Sequence, residues 1–450
     1  MSDVRGYGQQ ARQADWLEPA QLHLLRHFTW YPYRAMRTVL RSSYVNSLLV
    51  FVPVGLAAGA LGWADQAVFL LNLLAIVPLA YWIALLLGDV AAQTGQVPAG
   101  LLKATLGNTV ELAVGIIALR QGRIRIVQST LVGSVLCYSL LVLGSSILFA
   151  SYNVEKLVFD QLLTGIMSSL MIVVSIALII PAIMSFTSSS ESVTTDRDML
   201  TMSHGTAIIL FILFVVYLRF QHKTHACLFQ NVPGDGSSGN SHDVAEDEPP
   251  APTRRRLWAA GGILIASILS IFGCASYLID SIDGSAKALH VSPAFLGLVL
   301  IPLAGNAAKY AALIAISRQR QIDVVIRTVI GTILHVTLLI TPLLVLLGWI
   351  LQQPMTLDFD SFVAIVFFTA IMVMIYLIQD GQTNYFEGAM LMGTTCGYCN
   401  AETLMQVTFL VCIRCYSTID CFNRLWKVVA WCHVADQEDS NNNQEDQGGS

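Results

Sequence analysis

The chain has 450 residues, of which 55% are hydrophobic and only 12% are charged, and its formal net charge is −5. A soluble protein carries about 25% charged residues, so this composition excludes an ordinary soluble enzyme, a disordered chain, a coiled coil and collagen. The small net charge also argues against a nucleic-acid partner. The composition therefore predicts an all-α polytopic membrane protein.

Long apolar windows recur along most of the chain, and each is long enough to cross roughly 30 Å of hydrocarbon as a helix. Short segments of alternating hydrophobicity, which are typical of membrane β-barrels, are absent. We predict ten spans in a helical bundle, at about 44–63, 67–88, 99–119, 125–150, 162–186, 203–219, 258–279, 292–317, 324–351 and 360–379.

The first 43 residues contain six arginines and few acids, which predicts a cytosolic N-terminal segment before a first span that acts as a signal anchor. Counting spans then places 220–257 in the cytosol, where Arg254–Arg256 precede the next helix. Arg120, Arg123 and Arg125 fall on the far side and disagree with this orientation.

The polar insert at 220–257 separates a first transmembrane half at 44–219 from a second half at 258–394. Its glycine- and serine-rich centre at 234–240 has the composition of a flexible linker, and an acidic cluster follows. We interpret the insert as a flexible cytosolic linker. The alternative is that its acids attract cations to a pore mouth.

An internal repeat joins the two halves. The segment 107–141 aligns with 305–339 without a gap, and 13 of the 35 positions are identical. The pair Gly107-Asn108 falls on Gly305-Asn306, and Glu111 falls on Lys309. The two copies lie five spans apart, so they cross the membrane in opposite directions. Inverted repeats indicate a transporter whose substrate site lies near the midplane, where the repeats meet.

The repeated residues have the chemistry of a cation site. Glycine in a spanning helix permits close helix approach or a local break that frees carbonyl oxygens. Asn108 and Asn306 supply neutral oxygens and Glu111 a carboxylate, the groups that bind hard cations such as Ca²⁺. An acid at bilayer depth costs about 2.5–3.5 kcal/mol, which indicates a functional role for Glu111. The alternative is helix packing around a satisfied glutamate.

Further short stretches match a known family, at 100–102, 104–111, 140–144, 301–302, 305–308, 341–346 and 384–391. With these residues the chain resembles the calcium/proton exchanger family, as a divergent member of the fungal vacuolar type. The resemblance implies about 10–11 transmembrane helices, as two inverted five-helix repeats after a first helix. It also implies an antiporter, not an enzyme, that exchanges Ca²⁺ or another cation for protons at a vacuolar membrane. No cofactor is expected, and the oligomeric state stays open.

The chain departs from the family pattern at several positions. The second family repeat normally ends in glutamate, whereas Lys309 stands here. Family residues Ser-Asn and Gln in the following helices are replaced by Cys137-Tyr138 and His335. The acidic pair one helix before the first motif is reduced to Gly88-Asp89. The expected oxygen cage is therefore thinner than in the family.

We predict that Glu111, Asn108 and Asn306 bind the cation. The full cation and proton site is predicted to comprise Gly107, Asn108, Glu111, Gly305, Asn306 and Lys309, with Asp89, Ser134, Thr332 and His335 as accessory residues.

Lys309 raises three alternatives. With Glu111 opposite Lys309 we expect a buried ion pair, in which the ammonium occupies the site as a tethered cation. The chain is then either an antiporter in which Lys309 releases a proton when the cation binds, or a transport-inactive paralogue that acts as a membrane regulator or scaffold. The third alternative is an ordinary exchanger whose sequence here contains an error.

The tail from 395 to 450 is atypical. It contains six of the nine cysteines, including Cys396-x-x-Cys399 and Cys412-x-x-Cys415, and ends in a polar stretch typical of disorder. The apolar residues between the pairs argue against a zinc ribbon. Since the family resemblance ends near Thr394, we suspect a retained intron or a frame change near 395.

Overall fold

The structure is a computed structural model that describes residues 48–91, 93–94, 96–152, 154–188, 195–224 and 254–403. The predicted N-terminal segment at 1–43, most of the linker at 220–257 and most of the tail at 395–450 lie outside the described residues. The predictions for these three segments therefore stay predictions.

The first half starts with a short 3₁₀ turn at Leu48–Val50 and continues as eight helices. They are α1 (Phe51–Ala60), α2 (Asp65–Ala91), α3 (Gln96–Leu106), α4 (Thr109–Arg120), α5 (Ile124–Leu136), α6 (Leu143–Ala150), α7 (Gln161–Ser188) and α8 (Thr195–Arg219). A π-helical segment at Cys137–Val142 joins α5 to α6, and another at Phe220–Thr224 follows α8.

The second half also has eight described helices. They are α9 (Arg254–Asp280), α10 (Ile282–Leu289), α11 (Pro293–Phe295), α12 (Ile301–Arg318), α13 (Ile322–His335), α14 (Thr341–Ile350), α15 (Ser361–Ile378) and α16 (Tyr385–Thr403). Segments of π-helix at Leu296–Leu300 and Val336–Ile340 join α11 to α12 and α13 to α14.

One short antiparallel β-ribbon links the halves. Strand β1 (Leu157–Val158) pairs with β2 (Gln382–Thr383), and Leu157 lies opposite Thr383. Asp160, just after β1, also binds Arg327 of α13, whose Nη2 is 3.2 Å from its Oδ2. The loop before α7 is therefore tied to two elements of the second half.

Eight helical stretches within the described ranges are long and apolar enough to span a membrane, and α3 with α4 forms a ninth, bent span. These nine coincide with the predicted spans from 67–88 onward. For the first predicted span, at 44–63, the structure describes a shorter apolar helical stretch, Leu48–Ala60. The prediction of a multi-pass integral membrane protein is confirmed.

The bundle has apolar outer faces, and its mainly apolar interior also encloses polar side chains. Helices α7, α8 and α9 expose large aliphatic side chains such as Ile183, Ile209 and Ile265. In contrast, polar groups such as Asn72 and Ser146 are completely buried. Lipid offers no hydrogen-bond partner, so polar side chains are stabilised only where helices face one another.

The two continuous stretches α5–α6 and α13–α14 form the centre of the bundle. Their most apolar windows are 83% and 72% buried, against at most 50% for the other spans. They occupy equivalent positions in the aligned repeats, and each contains its π segment at the same place in the alignment. The internal repeat is therefore present in the helix geometry as well as in the sequence, as the inverted-repeat fold requires.

The predicted boundary between 394 and 395 falls inside α16, which continues without interruption to Thr403. Helix α16 therefore includes the first residues of the predicted tail, and the boundary near 395 stays a prediction.

Candidate cation site

The first repeat is broken at its Gly-Asn pair. Helices α3 and α4 meet at an angle of 56°, with Gly107 and Asn108 between them. A Cβ atom on Gly107 would collide with the carbonyl oxygen of Lys103, so the break requires glycine. Asn108 Nδ2 donates to the Ala104 carbonyl at 3.0 Å and satisfies one oxygen at the end of α3. The expected local break is present in this repeat.

The break sets the position of Glu111. Its side chain lies in the first turn of α4 and is 5% exposed. A helix N-terminus presents unpaired N–H groups and a partial positive charge, which favour a nearby carboxylate. Glu111, the acid of the first repeat, therefore lies at a helix start, where the backbone stabilises a negative charge.

The second repeat is continuous at the same pair. Gly305 and Asn306 lie inside α12, and Lys309 is at the middle of that helix. A Cβ atom on Gly305 would lie 2.7 Å from Val110 Cγ1, so this glycine permits close approach of α12 to α4. One repeat therefore uses its glycine for a helix break and the other for helix contact.

Polar residues from both repeats meet at Glu111. Its Oε1 accepts hydrogen bonds from Asn306 Nδ2 at 2.9 Å and from Ser134 Oγ at 3.3 Å. The Tyr138 hydroxyl donates to Asn306 Oδ1 at 2.8 Å. All four residues are buried, with Ser134 and Tyr138 completely inaccessible. The inverted repeats thus converge on one hydrogen-bonded network.

The Lys309 ammonium binds a different residue from the one expected, which lies outside this hydrogen-bonded network. Its Nζ donates to Asn108 Oδ1 at 3.0 Å. Among the ion pairs of the described chain, none links Lys309 with Glu111, so the predicted direct pair is wrong. Glu111 Oε1 is already bound by Asn306 and Ser134, and the two charges interact electrostatically over a longer distance.

The two amide oxygens that we expected to bind the cation both have other partners in this structure. Asn108 Oδ1 accepts from Lys309, and Asn306 Oδ1 accepts from Tyr138. The residues that the structure describes contain no group of three or more His, Cys, Asp or Glu side chains able to hold a metal ion. A cation at this site must therefore rely on Glu111 and neutral oxygens.

A small cavity lies beside Glu111, between α4, α5 and α12, and the centre of a water-sized sphere has about 10 Å³ of room in it. A buried water molecule needs roughly 10–15 Å³ measured in this way, so the space holds about one water molecule. It is lined by Val110, Glu111, Val114, Thr130, Ser134, Ile301, Pro302 and Gly305. Glu111 is the charged member of this lining, and the hydroxyls of Thr130 and Ser134 are its other polar side-chain groups.

The other accessory residues have different positions. Thr332 donates to the Thr328 carbonyl of its own helix at 2.8 Å and does not join the Glu111 network. The His335 ring packs edge-on against Phe214 of α8, with ring centroids 6.4 Å apart. The side chain of Asp89 lies outside the described residues. Of the accessory residues, Ser134 alone is brought to Glu111 in the part of the site that the structure describes.

The sequence marks Tyr138 only as a departure from the family pattern, yet its hydroxyl takes part in the Glu111 network. A signal was available, because Tyr138 follows Ser134 by four residues and so shares its helix face. A hydroxyl-bearing aromatic residue on the polar face of a buried helix usually has a hydrogen-bond partner.

The model of the family described as sodium/calcium exchanger protein matches residues 66–223 and 259–399, which is more than half of the chain. The chain belongs to this family. The match ends at residue 399 and not near Thr394, so the likeness extends slightly farther than the sequence indicated.

Relatives of this chain occur in fungi, bacteria and plants. The chain is 37% identical over 358 residues to the vacuolar calcium ion transporter of Schizosaccharomyces pombe, covering 79% of this chain and 84% of the relative. It is 31% identical to the Ca²⁺/H⁺ antiporter of Synechocystis, covering 77% and 93%. It is 32% identical to vacuolar cation/proton exchanger 2 of Oryza sativa subsp. japonica, covering 79% and 80%.

Solved structures show the same fold. The chain matches the structure of native YfkE with a TM-score of 0.64 at 24% identity, covering 79% of this chain and 99% of that one. It also matches a crystal structure of an H⁺/Ca²⁺ exchanger with a TM-score of 0.56 at 12% identity, covering 86% and 98%. The inverted-repeat helical fold agrees with both matches.

Proposed function

We propose that this exchanger is a cation/proton antiporter that moves Ca²⁺ into a vacuole-like compartment in exchange for protons. One observation carries the proposal: Glu111 is a buried carboxylate at the meeting point of the two inverted repeats, beside a small cavity that its side chain lines. The similarity to a fungal vacuolar calcium ion transporter, a bacterial Ca²⁺/H⁺ antiporter and a plant vacuolar cation/proton exchanger supports Ca²⁺ and protons as the exchanged ions.

Glu111 performs the exchange by holding a cation or a proton in turn. A carboxylate in a low-dielectric site is costly unless it is neutralised, and either ion can neutralise it. The two ions therefore compete for the same oxygens. Because the repeats meet at this point, small movements of the helices around Glu111 expose it to one side of the membrane or the other.

Lys309 adds a second proton to the cycle. When a divalent cation enters, Asn108 Oδ1 becomes a ligand only after the ammonium leaves it. Lysine gives up its proton more readily than arginine when desolvated, and its long stem can swing away. Release of the Lys309 proton prevents a cation and an ammonium from occupying one small site together.

A second candidate function is that of a transport-inactive paralogue that regulates or scaffolds other membrane proteins. The observation in its favour is that Lys309 and Tyr138 already bind the two amide oxygens, Asn108 Oδ1 and Asn306 Oδ1. In this case the network is a permanent structural element and Glu111 takes no cation.

Uptake of Ca²⁺ and Na⁺ by acid-loaded vesicles containing the purified chain tests both functions. Glu111→Gln keeps the shape of the side chain but removes its charge, and uptake should fall by roughly 100-fold or more, as expected when a proton-carrying group is lost. Glu155→Gln, which alters an exposed loop carboxylate, is the matched control and should retain full uptake.

A Lys309→Glu variant separates the two candidates, with the exposed Lys287→Glu as its control. Uptake by the natural chain supports the antiporter. Uptake only after Lys309→Glu favours the regulator, and uptake by neither form counts against the assignment of the site.

A further inference from the structure

We infer that Tyr138 is a positioning residue that holds the second-repeat side of the site closed and thereby sets its affinity for a cation. The inference rests on the proposed function, because it concerns how the same site admits its cation. Tyr138 lies in the π segment that follows α5, and its side chain is completely buried. It contacts both polar residues that the second repeat contributes.

The first contact fixes the orientation of an amide. An asparagine side chain has one oxygen that accepts hydrogen bonds and one NH₂ group with two hydrogens. Asn306 Nδ2 donates to Glu111 Oε1 at 2.9 Å and to the Pro302 carbonyl at 3.0 Å, while Oδ1 accepts from the Tyr138 hydroxyl. Both hydrogens of the NH₂ group and one acceptor position of Oδ1 are thus engaged, and the NH₂ group faces the carboxylate.

That orientation opposes cation binding. Ca²⁺ and similar hard cations bind oxygen and are repelled by an NH₂ group. For Asn306 to present Oδ1 to a cation at Glu111, the amide must turn and break the bond from Tyr138. The hydroxyl of Tyr138 therefore stabilises the form of the site without a cation.

The second contact concerns Lys309. Its Nζ lies 5.8 Å from the centre of the Tyr138 ring, within the distance at which an aromatic face attracts an ammonium. The ring thus lies beside the same ammonium that binds Asn108 Oδ1. The hydroxyl and the ring of one side chain act on different partners, so a substitution that removes the hydroxyl and keeps the ring tests them separately.

Binding of ⁴⁵Ca²⁺ to the purified full chain measures the effect of the hydroxyl. Tyr138→Phe frees Asn306 Oδ1 and should increase the affinity for Ca²⁺ roughly three- to tenfold, the range expected for one hydrogen bond that cation binding must break. In vesicles the same variant should lower the KM of uptake in the same proportion without raising the maximal rate. If the hydroxyl had only a structural role, its removal would neither increase the affinity for Ca²⁺ nor lower the KM of uptake.

Tyr217→Phe is the matched control. Tyr217 is a buried tyrosine on α8, and its hydroxyl has no hydrogen-bond partner among the residues that the structure describes. Its loss should leave Ca²⁺ affinity within twofold of the natural chain. Tyr138→Met provides a second variant that removes the hydroxyl and fills the same space with a flexible side chain.

Equal or weaker Ca²⁺ binding by folded Tyr138→Phe or Tyr138→Met would overturn the inference. Its failure is distinguishable from failure of the proposed function. Transport that depends on Glu111, combined with unchanged binding after loss of the hydroxyl, contradicts the role of Tyr138 alone. Tighter binding in a chain that shows no uptake supports the role of Tyr138 and contradicts the antiporter.

Discussion

The two repeats share a Gly-Asn pair but differ in helix geometry at that pair. In the first repeat the chain bends by 56° and α4 begins two residues after Gly107, which places Glu111 at a helix start. In the second repeat α12 passes through the pair without a break, which places Lys309 at mid-helix. The same dipeptide therefore supports two different backbone environments.

The difference gives the two charged side chains different backbone surroundings. Unpaired N–H groups at the start of α4 favour an acid, whereas the middle of α12 has no such groups to offer a second carboxylate. A lysine at mid-helix can extend its flexible stem to a polar partner on a neighbouring helix. Here that partner is Asn108, the residue at the break in the first repeat.

Removing the amine should produce the largest effect on stability. Lys309→Met leaves the buried Glu111 without a compensating charge, and the free energy of unfolding should fall by up to about 3 kcal/mol. Glu111→Gln in the same chain removes the uncompensated acid and should restore most of that loss. Chemical unfolding of the two single variants and the double variant measures the coupling.

The exposed Lys156→Met serves as the control for this cycle and should change stability little. Strictly additive effects of the two site substitutions would contradict a coupled pair. In that case the charges of Glu111 and Lys309 would affect the free energy of unfolding independently of each other.

A smaller effect is expected from a glycine pair in the central helices. A Cβ atom on Gly133 would collide with the backbone of Leu298, whereas one on the equivalent Gly331 would meet only Met167 Cε at 3.8 Å. Gly133→Ala should therefore destabilise the protein by about 1–3 kcal/mol through overpacking. Gly331→Ala should be neutral or stabilising by about 0.5–1 kcal/mol, because alanine is the better helix former.

Thermal unfolding of the two purified variants in detergent measures this difference. Equal midpoints would show that the close approach of α5 to the Leu296–Leu300 segment does not constrain the fold. The contrast between the repeats would then be limited to their polar residues.

The smallest effect concerns the paired hydroxyls Ser134 and Thr332. Ser134 donates to Glu111 at 3.3 Å, but Thr332 donates to a carbonyl of its own helix. Ser134→Ala should change the KM of cation uptake roughly threefold to tenfold, the range for loss of one hydrogen bond to a charged group at a long distance. Thr332→Ala should change the KM of cation uptake less than twofold. If Thr332→Ala changed this KM more than Ser134→Ala does, Thr332 and not Ser134 would be the hydroxyl that faces the site.

Much of the fold could be predicted from the sequence, because membrane spans are set by hydrophobic length and the repeat by residue identity. Burial of Glu111 and its contact with the second repeat followed from the same alignment. The partner of Lys309 could not be predicted. Identical Gly-Asn pairs gave no sign that one helix would break and the other continue, and that difference decides which group the ammonium reaches.

The role of Tyr138 depended on a finer detail. Whether its hydroxyl reaches Asn306 is decided by the rotation of one helix about its own axis, which the π segment at Cys137–Val142 alters. A prediction from sequence periodicity assumes a regular helix. It can therefore assign Tyr138 to a helix face, but it does not identify the residue to which the hydroxyl hydrogen-bonds.

The wide helical turns in α5–α6 and α13–α14 have a consequence for the evolution of the bundle. A π-helical turn accommodates one residue more than a regular turn, and one residue corresponds to about 100° of rotation around the axis. In α5–α6 the portion before the wide turn, which carries Thr130 and Ser134 beside Glu111, therefore keeps its orientation while the portion after it is oriented for packing. A single-residue insertion or deletion at this place changes the orientation of the packing portion and leaves the polar portion in register.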